Sequence, residues 1–542
     1  MTFPEGVKSW RIDEFSNAHN SFTQGLQPNM SYDLFIDEPG FAQLTSLEKY
    51  NKCTQNLMWV INDALQKGLK LRAMGSGWSF SKVAVCDGAI INTKRLRLKI
   101  KPKEENFDPQ FLAAGNNAEN FKFLQCGNTV ISLNRLLEQE STPAKSLRCS
   151  GGSNGQTIVG AFSTGTHGAS IGVGALTEMI AGLHIITGPD RHIYVERSSR
   201  RVTSPVFHEK IGAKAIYDDD LFNAALVSFG SFGIIHGVML EVEDKFLLKQ
   251  KLGRIPYDND LDSAVNAGSF ERIAAHLPFP LNDPENKLYH FELAINPHDF
   301  GFDDPDKGVY LRTMFKCPVA PYDPIVVEEK YSYGDDTLGL MQSVLDTLDK
   351  IPGGINNALI PKLVNTLFKL AYDRPEEATG TIGETFNATK FRGKLFSAAF
   401  GIARESVKDV ILHCLEINKS IKLAGVMAFR FVKGTTATLG FTRWENSCVL
   451  ELDGADAMVN YEFMKALSDR LITHNIEHTL HWGKVNNILD KDRLEKMYGE
   501  ARINAWKTQR GRIMTIDVQS IFNNEFMKAC GLDEFVPTPL IA

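Results

Sequence analysis

The sequence predicts an α+β chain in two parts, the first built around glycine loops that face a ligand and the second on an antiparallel sheet. Three observations carry this. The glycine-dense stretches fall before about residue 245, and helical and strand periodicities alternate between residues 50 and 245. From about Asp244 the glycine signal fades, and strand-like runs (LYHFELAI, LFSAAFGIA, GVMAFRFV, SCVLELDG) are separated by helical ones.

The first part is organised around Leu69–Ser81, LKLRAMGSGWSFS. Leu57, Ile61, Ala64 and Leu65 repeat at helical spacing behind Thr54 as N-cap, and Gly68 supplies the stop. Leu69, Leu71 and Ala73 alternate with Lys70 and Arg72 as a half-buried strand does, and Gly75 and Gly77 then let the backbone approach a ligand, where successive N–H groups form an anion-binding concavity. A Rossmann reading fails, because GSGWSF has no third glycine and SKVAVCDGAIINTKRL does not read as a helix. The basic run Lys94–Lys103 alternates with Leu96, Leu98 and Ile100, as the solvated face of a strand would.

Thr129 caps a helix in which Val130, Leu133, Leu136 and Leu137 share a face. The next stretch, residues 148–174, is dense in glycine, serine and threonine yet holds Ile158, Val159, Ala161 and Phe162, an apolar anchor that a flexible linker seldom carries. It reads as a loop lying against a ligand, with Ser163, Thr164 and Thr166 offering hydroxyls. In Leu221–Val242 a short helix reaches Gly230 and Gly233. A strand follows with Ile234, Val238, Leu240 and Val242 in one row, in which His236 reads as a satisfied sheet histidine.

Composition narrows the function classes. A net charge of -6 over 542 residues gives no nucleic-acid footprint. Eight cysteines without a C-x-x-C or a dense framework favour a reduced compartment, and with no signal-like opening the expected location is the cytoplasm. No run approaches 18 apolar residues, so no membrane span is expected.

Taken together these stretches resemble the flavoproteins of the vanillyl-alcohol oxidase type, and within them the aldonolactone, alditol and sterol oxidases. RAMGSGWSFS resembles their pyrophosphate loop, GQTIVGAFSTGTHGAS their second flavin segment, and SFGSFGIIHGVMLEV the end of their FAD domain. MAFRF resembles their E-x-R-F strand, His481-Trp482-Gly483-Lys484 matches H-W-x-K, and AINPHD resembles a W-F-P-H run in their cap. The resemblance implies an FAD domain over residues 1–245, a substrate-binding cap over 246–480, and a C-terminal return over 481–542. It implies that FAD contacts Arg72, Met74, Gly75, Ser76, Gly77, Trp78 and Ser79, then Gly152, Thr157, Gly160, Ser163, Thr164, Thr166, His167 and Gly168, and finally Gly233 and Ile234. The implied activity is oxidation of a CH–OH group of a small molecule, with molecular oxygen or another acceptor reoxidising the flavin. Arg430, Lys484 and His481 are the implied catalytic residues.

Two departures stand out. Covalent members carry a flavin-bonding histidine where Trp78 stands, and the cysteine some relatives use would align with Ser153, four positions after Cys149. The flavin is therefore expected to be non-covalent. Ala428 replaces the glutamate of E-x-R-F, which leaves the contact to a substrate hydroxyl unassigned. Two other classes stay open: a flavoenzyme of the same fold doing oxidative cyclisation or amine oxidation, and a flavin-binding protein without turnover. Helical spacing would put His474, His478 and His481 on one face as zinc ligands, but Thr479–Trp482 reads as strand, so no metal is expected.

Overall fold

The computed structural model describes residues 2–324, 330–331, 359–372, 376–390 and 394–541. The chain begins with a four-stranded sheet ordered Val7–Trp10, Ser31–Leu34, Ala89–Asn92, Leu71–Met74; its last three strands run parallel. The helix before Leu71–Met74 is longer than the apolar spacing indicates. It runs Ser46–Lys67, and its cap is Thr45, whose hydroxyl accepts from Glu48 N while Glu48 reaches back to Thr45 N. Such a cap contributes about 0.5–2 kcal/mol. Thr54 is not a cap: it lies within the helix, buried, donating to Tyr50 O and meeting His236 Nδ1 at 3.1 Å. Gly68 does end the helix, at φ 62°.

Beside it lies a six-stranded sheet in the order Lys214–Tyr217, His192–Glu196, Ile180–Ile186, Ile234–Glu241, Phe121–Gln125, Lys99–Ile100. Ile234–Glu241 forms as the periodicity predicts, and His236 is a satisfied sheet residue, bonded to Thr54 and to Gln125 at 3.0 Å. The basic run is a correction. Only Lys99–Ile100 pairs, because Leu96 N donates to Thr93 O and folds the preceding residues into a turn. The helix before Gly230 is Asp219–Leu226, and within the glycine stretch Ile158–Ser163 is a short helix capped by Thr157, not a loop throughout.

The four strand-like runs all join one eight-stranded antiparallel sheet, ordered Glu376–Gly380, Leu247–Ile255, Val309–Cys317, Lys287–Ile295, Gly425–Lys433, Asn446–Ala455, Leu395–Ala403, His478–Leu480. The strict alternation of its central strands divides the two faces. Phe291, Leu293, Phe429, Phe431, Leu450 and Leu452 enter the main core, which also takes in Val410, Cys414, Phe463 and Leu467 from helices Val407–Asn418 and Met458–Thr473. The intervening residues face away from these helices, toward the glycine loops. Helices after residue 490 return to the first part, where Trp506 Nε1 donates to Val227 O and Asn524 Nδ2 to Val85 O.

Candidate functional site

The glycine loops and the second face of the large sheet enclose one cavity of about 530 Å³, within the usual size range of ligand sites. Its first wall is Met74–Ser81, Ser150–Ser153, Gln156 and Thr157, then Gly160–Gly168 in part, with Phe229, Gly230 and Gly233. The two glycine stretches close on each other: a Cβ at Gly75 would fall 2.1 Å from Thr157 Oγ1, and one at Gly155 would fall 2.0 Å from the Trp78 ring. Only glycine permits that approach. On the same wall Ser163 Oγ and Gln156 Oε1 are buried without a hydrogen-bond partner among the described residues. A native fold rarely leaves such groups unsatisfied. Small residues and unmatched hydroxyl and amide oxygens suit an extended, hydrogen-bonding dinucleotide, so the residues present fit FAD.

The opposite wall comes from neighbouring strands of the sheet. His290 and Glu292 stand on Lys287–Ile295, Ala428 and Arg430 on Gly425–Lys433, and Glu451 and Asp453 on Asn446–Ala455. Register places Glu292 opposite Arg430 and Glu451 opposite Ala428. A buried carboxylate, Glu451, thus stands directly across from position 428. Arg430 lies between both acids, with Nη1 2.8 Å from Glu451 and Nε 3.4 Å from Glu292. Lys484 Nζ lies 3.5 Å from Glu451 and donates to Ser397 Oγ at 2.6 Å, while Ser397 donates to Asp453 at 2.5 Å. Arg312 stands 3.8 Å from Glu292, and His290 Nε2 donates to it at 3.1 Å.

These contacts set the charge states. Burial alone would push the Glu451 carboxyl up, but the charges of Arg430 and then Lys484 reverse this and hold it below the usual range. Glu292 behaves alike, with burial outweighed by Arg430 and Arg312. Asp453 goes the other way: burial and the Glu451 charge raise it. Neighbouring carboxyls driven apart in this way are a mark of reactive sites. Burial lowers His167 to about 4, so its ring is neutral at pH 7. His167 Nδ1 donates to Gly168 O, which leaves Nε2 as an acceptor 3.8 Å from Glu451. Burial first, with the Lys484 charge adding to it, takes His481 well below its ordinary value; its Nδ1 accepts from Gly483 N, so Nε2 carries the proton.

Of the residues named from the sequence, Arg430, Lys484 and His481 all reach the cavity, as do Met74–Ser79, Gly152, Thr157, Gly160, Ser163, Thr164, Thr166, His167, Gly168 and Gly233. Arg72 and Ile234 do not. Arg72 is fully buried behind the wall, and Ile234 points into the core while Ile235 takes the cavity side. His298 of AINPHD is structural, bonded to Leu423 O and Asn418. His474 and His478 lie apart from His481, packed on His413 and bonded to Ser468. Among the described residues no group of His, Cys, Asp and Glu could hold a metal ion, and no helix is long and apolar enough to cross a membrane.

Sequence reasoning missed Glu451, Glu292, His290, Asp453, Arg312 and the hairpin residue His19, which stacks on Phe80 at 4.0 Å. A signal for four of them exists: pairs of charged residues two apart (His290/Glu292, Glu451/Asp453) inside otherwise apolar strands, on the face the core does not use.

No protein-family model matches the chain. It is 26% identical over 203 residues to the D-arabinono-1,4-lactone oxidase of Debaryomyces hansenii, an alignment taking in 37% of this chain and 32% of that protein. To the Candida glabrata protein of the same name it is 25% identical over 217 residues, 40% of this chain and 36% of the relative. The chain thus aligns with about a third of the length of these curated relatives. Among solved structures, a solvent-stable cholesterol oxidase superposes with a TM-score of 0.68 at 13% identity, covering 98% of this chain and 99% of that one. A cholesterol oxidase from B. sterolicum gives 0.66 at 12% identity over 98% of both chains. The fold is therefore that of the cholesterol oxidases, and the resemblance read from the motifs holds in sequence and in fold.

Proposed function

We propose that the chain is an FAD-dependent oxidoreductase that oxidises a CH–OH group of an alcohol, lactone or sterol-like small molecule. The observation that carries this is that one cavity has glycine loops with unmatched polar groups on one side and a buried, charge-balanced cluster around Glu451 and Arg430 on the other. Bound there, FAD would supply a hydride acceptor at flavin N5. The loops Met74–Ser79 and Thr157–Gly168, with Gly233, would hold it.

The chain's own residues would do the rest. Glu451 and the lone pair of His167 Nε2 form an acceptor pair that orients a substrate hydroxyl and takes its proton. Arg430 and Lys484 keep Glu451 ionised and offer fixed positive charge toward the reacting centre, an arrangement worth roughly 3–4 kcal/mol where it meets developing negative charge. His481 Nε2–H adds a donor. Reoxidation by molecular oxygen and a cytoplasmic location belong to the same reading, the latter supported by eight buried, unpaired cysteines.

The test is anaerobic bleaching of the protein-bound flavin by a panel of lactones, alditols, aliphatic alcohols and sterols, followed by peroxide detection in air. Bleaching by one class supports the proposal. A protein that binds FAD and is reduced by none of them would favour a flavin-binding role without turnover.

A further inference from the structure

Behind the first wall of the cavity lie two arginines that no carboxylate among the described residues pairs. Arg72, on strand Leu71–Met74, and Arg510, on helix Glu500–Ile513, are 0% and 1% exposed. Arg72 Nη1 donates to Phe229 O at 2.7 Å and Nη2 to Met527 Sδ at 3.0 Å, while Nε has no partner. Arg510 Nε donates to Ser231 O at 2.9 Å, and its Nη2 to Gln519 O and Asn523 Oδ1, each at 2.7 Å. Carbonyls solvate both cations, but among the described residues neither forms an ion pair. Burying one unpaired guanidinium is unfavourable, and two of like sign together more so. Burial, then the charge of Arg72, lowers Arg510 to about 9, with Asp533 offsetting this only in part; burial lowers Arg72 to about 10.

The two side chains meet at one loop. Phe229 sits at φ 47°, a left-handed conformation rare for a bulky residue, and its carbonyl and that of Ser231 both turn onto the arginines. Phe229 N donates to Ser163 O and ties the loop to the second glycine stretch. Gly230 and Gly233 line the cavity, and a Cβ built on Gly230 would stand 3.7 Å from Arg72 Nη1. The loop therefore turns carbonyls toward two cations on one side and lines the cavity with Gly230 and Gly233 on the other.

We propose that Arg72 and Arg510 form a buried dication whose counter-charge is the diphosphate of the bound dinucleotide, acting through the Phe229–Gly233 loop as positioning residues. The inference rests on the FAD reading and goes beyond it, since it makes a charge outside the cavity wall part of the affinity. The two positive charges match the dianion of a diphosphate. A flavin without phosphate would leave them uncompensated.

The experiment measures FAD affinity by fluorescence quenching and melting temperature of the FAD-free full chain, for wild type, Arg510→Met and Arg510→Lys. Arg510→Met should bind FAD roughly 30-fold more weakly or worse, as when a buried charge loses its partner, yet melt no lower than wild type without FAD. Arg510→Lys, which keeps the charge, should stay within about threefold of wild type by the same reasoning. Equal FAD affinity in Arg510→Met overturns the inference. Should that variant fail to fold, the wild type decides: inorganic pyrophosphate should raise the melting temperature of the FAD-free chain, less so as salt increases, and no rise overturns the dication. A wild type protected by pyrophosphate but indifferent to FAD would sink the flavin reading and leave the dianion site standing.

Discussion

Replacing Glu451 by glutamine keeps the side chain's size and one acceptor oxygen while removing its charge, so it isolates what the carboxylate does. In the folded protein that charge meets Arg430 at 2.8 Å, Lys484 at 3.5 Å and His167 at 3.8 Å. A hydrogen bond to a charged group contributes about 1.5–3 kcal/mol, so losing the ionised acceptor should slow flavin reduction by roughly 10- to 150-fold. The effect is bounded from above by the neighbours. Without the Glu451 charge Asp453 loses the like-charge repulsion that raises it, and can ionise beside Lys484 in partial replacement. The double variant Glu451→Gln/Asp453→Asn should therefore fall further than the two single losses combined. Anaerobic stopped-flow bleaching with the best substrate of the panel measures the rate, and the visible spectrum confirms that FAD stays bound. A Glu451→Gln protein that holds FAD and is reduced at the wild-type rate would refute the assignment.

Arg430→Ala and Lys484→Ala should each slow flavin reduction by about 10²-fold or more with FAD retained, and Arg430→Ala should also lower stability by about 3–5 kcal/mol, because it strands two buried carboxylates; unchanged reduction in both would move the active site elsewhere. Stability should fall as pH drops below about 6.5. Burial holds His236 near 3, His167 and His478 near 4, and His184 and His481 well below normal. Between those values and 6.5 the unfolded chain binds more protons, at about 1.4 kcal/mol per ring per pH unit. The depressed Glu292 and Glu451 add to the loss only at lower pH, while the raised Glu138, Glu196 and Asp453 oppose it. A melting temperature flat from pH 7 to 5 would contradict this. FAD should be non-covalent, since the Trp78 indole is a donor without a nucleophilic nitrogen and burial pushes the Cys149 thiol up to about 12; acid precipitation should leave yellow FAD in the supernatant, and flavin on a tryptic peptide would refute it.

How far the sequence was legible differs between the two walls. The glycine wall could be read because its chemistry is in the backbone: Gly75 and Gly77 mark close approach wherever the chain folds. Element limits were read less well. Tyr50 and Cys53 bury the first turns of helix Ser46–Lys67, but an aromatic and a thiol among polar residues do not register as an apolar stripe, so Thr54 passed for its start. The sheet wall was only half legible. Arg430 and Lys484 were carried by motif, whereas Glu451 acquires its meaning from register, which no local pattern contains. Its distance from Arg430 along the chain is 21 residues, and pairing brings it across.

That register bears on what Ala428 means. A glutamate at 428 and one at 451 would face each other on adjoining strands, directly opposite and with the same Arg430 within reach. Like charges at directly opposed positions repel, so a chain carrying Glu451 gains from a small neutral residue at 428. What it changes is shape. The carboxylate now enters from the strand that also carries Asp453 and meets Lys484, while the 428 side leaves room beside Val426 and helix Leu359–Tyr372, whose Val364, Leu367 and Phe368 line the cavity. Val364, Leu367, Phe368 and Val426 give the cavity an apolar patch there. If Glu451 takes the substrate hydroxyl as proposed, a substrate with an apolar body would fill that patch, whereas a compact polyol would leave it unfilled.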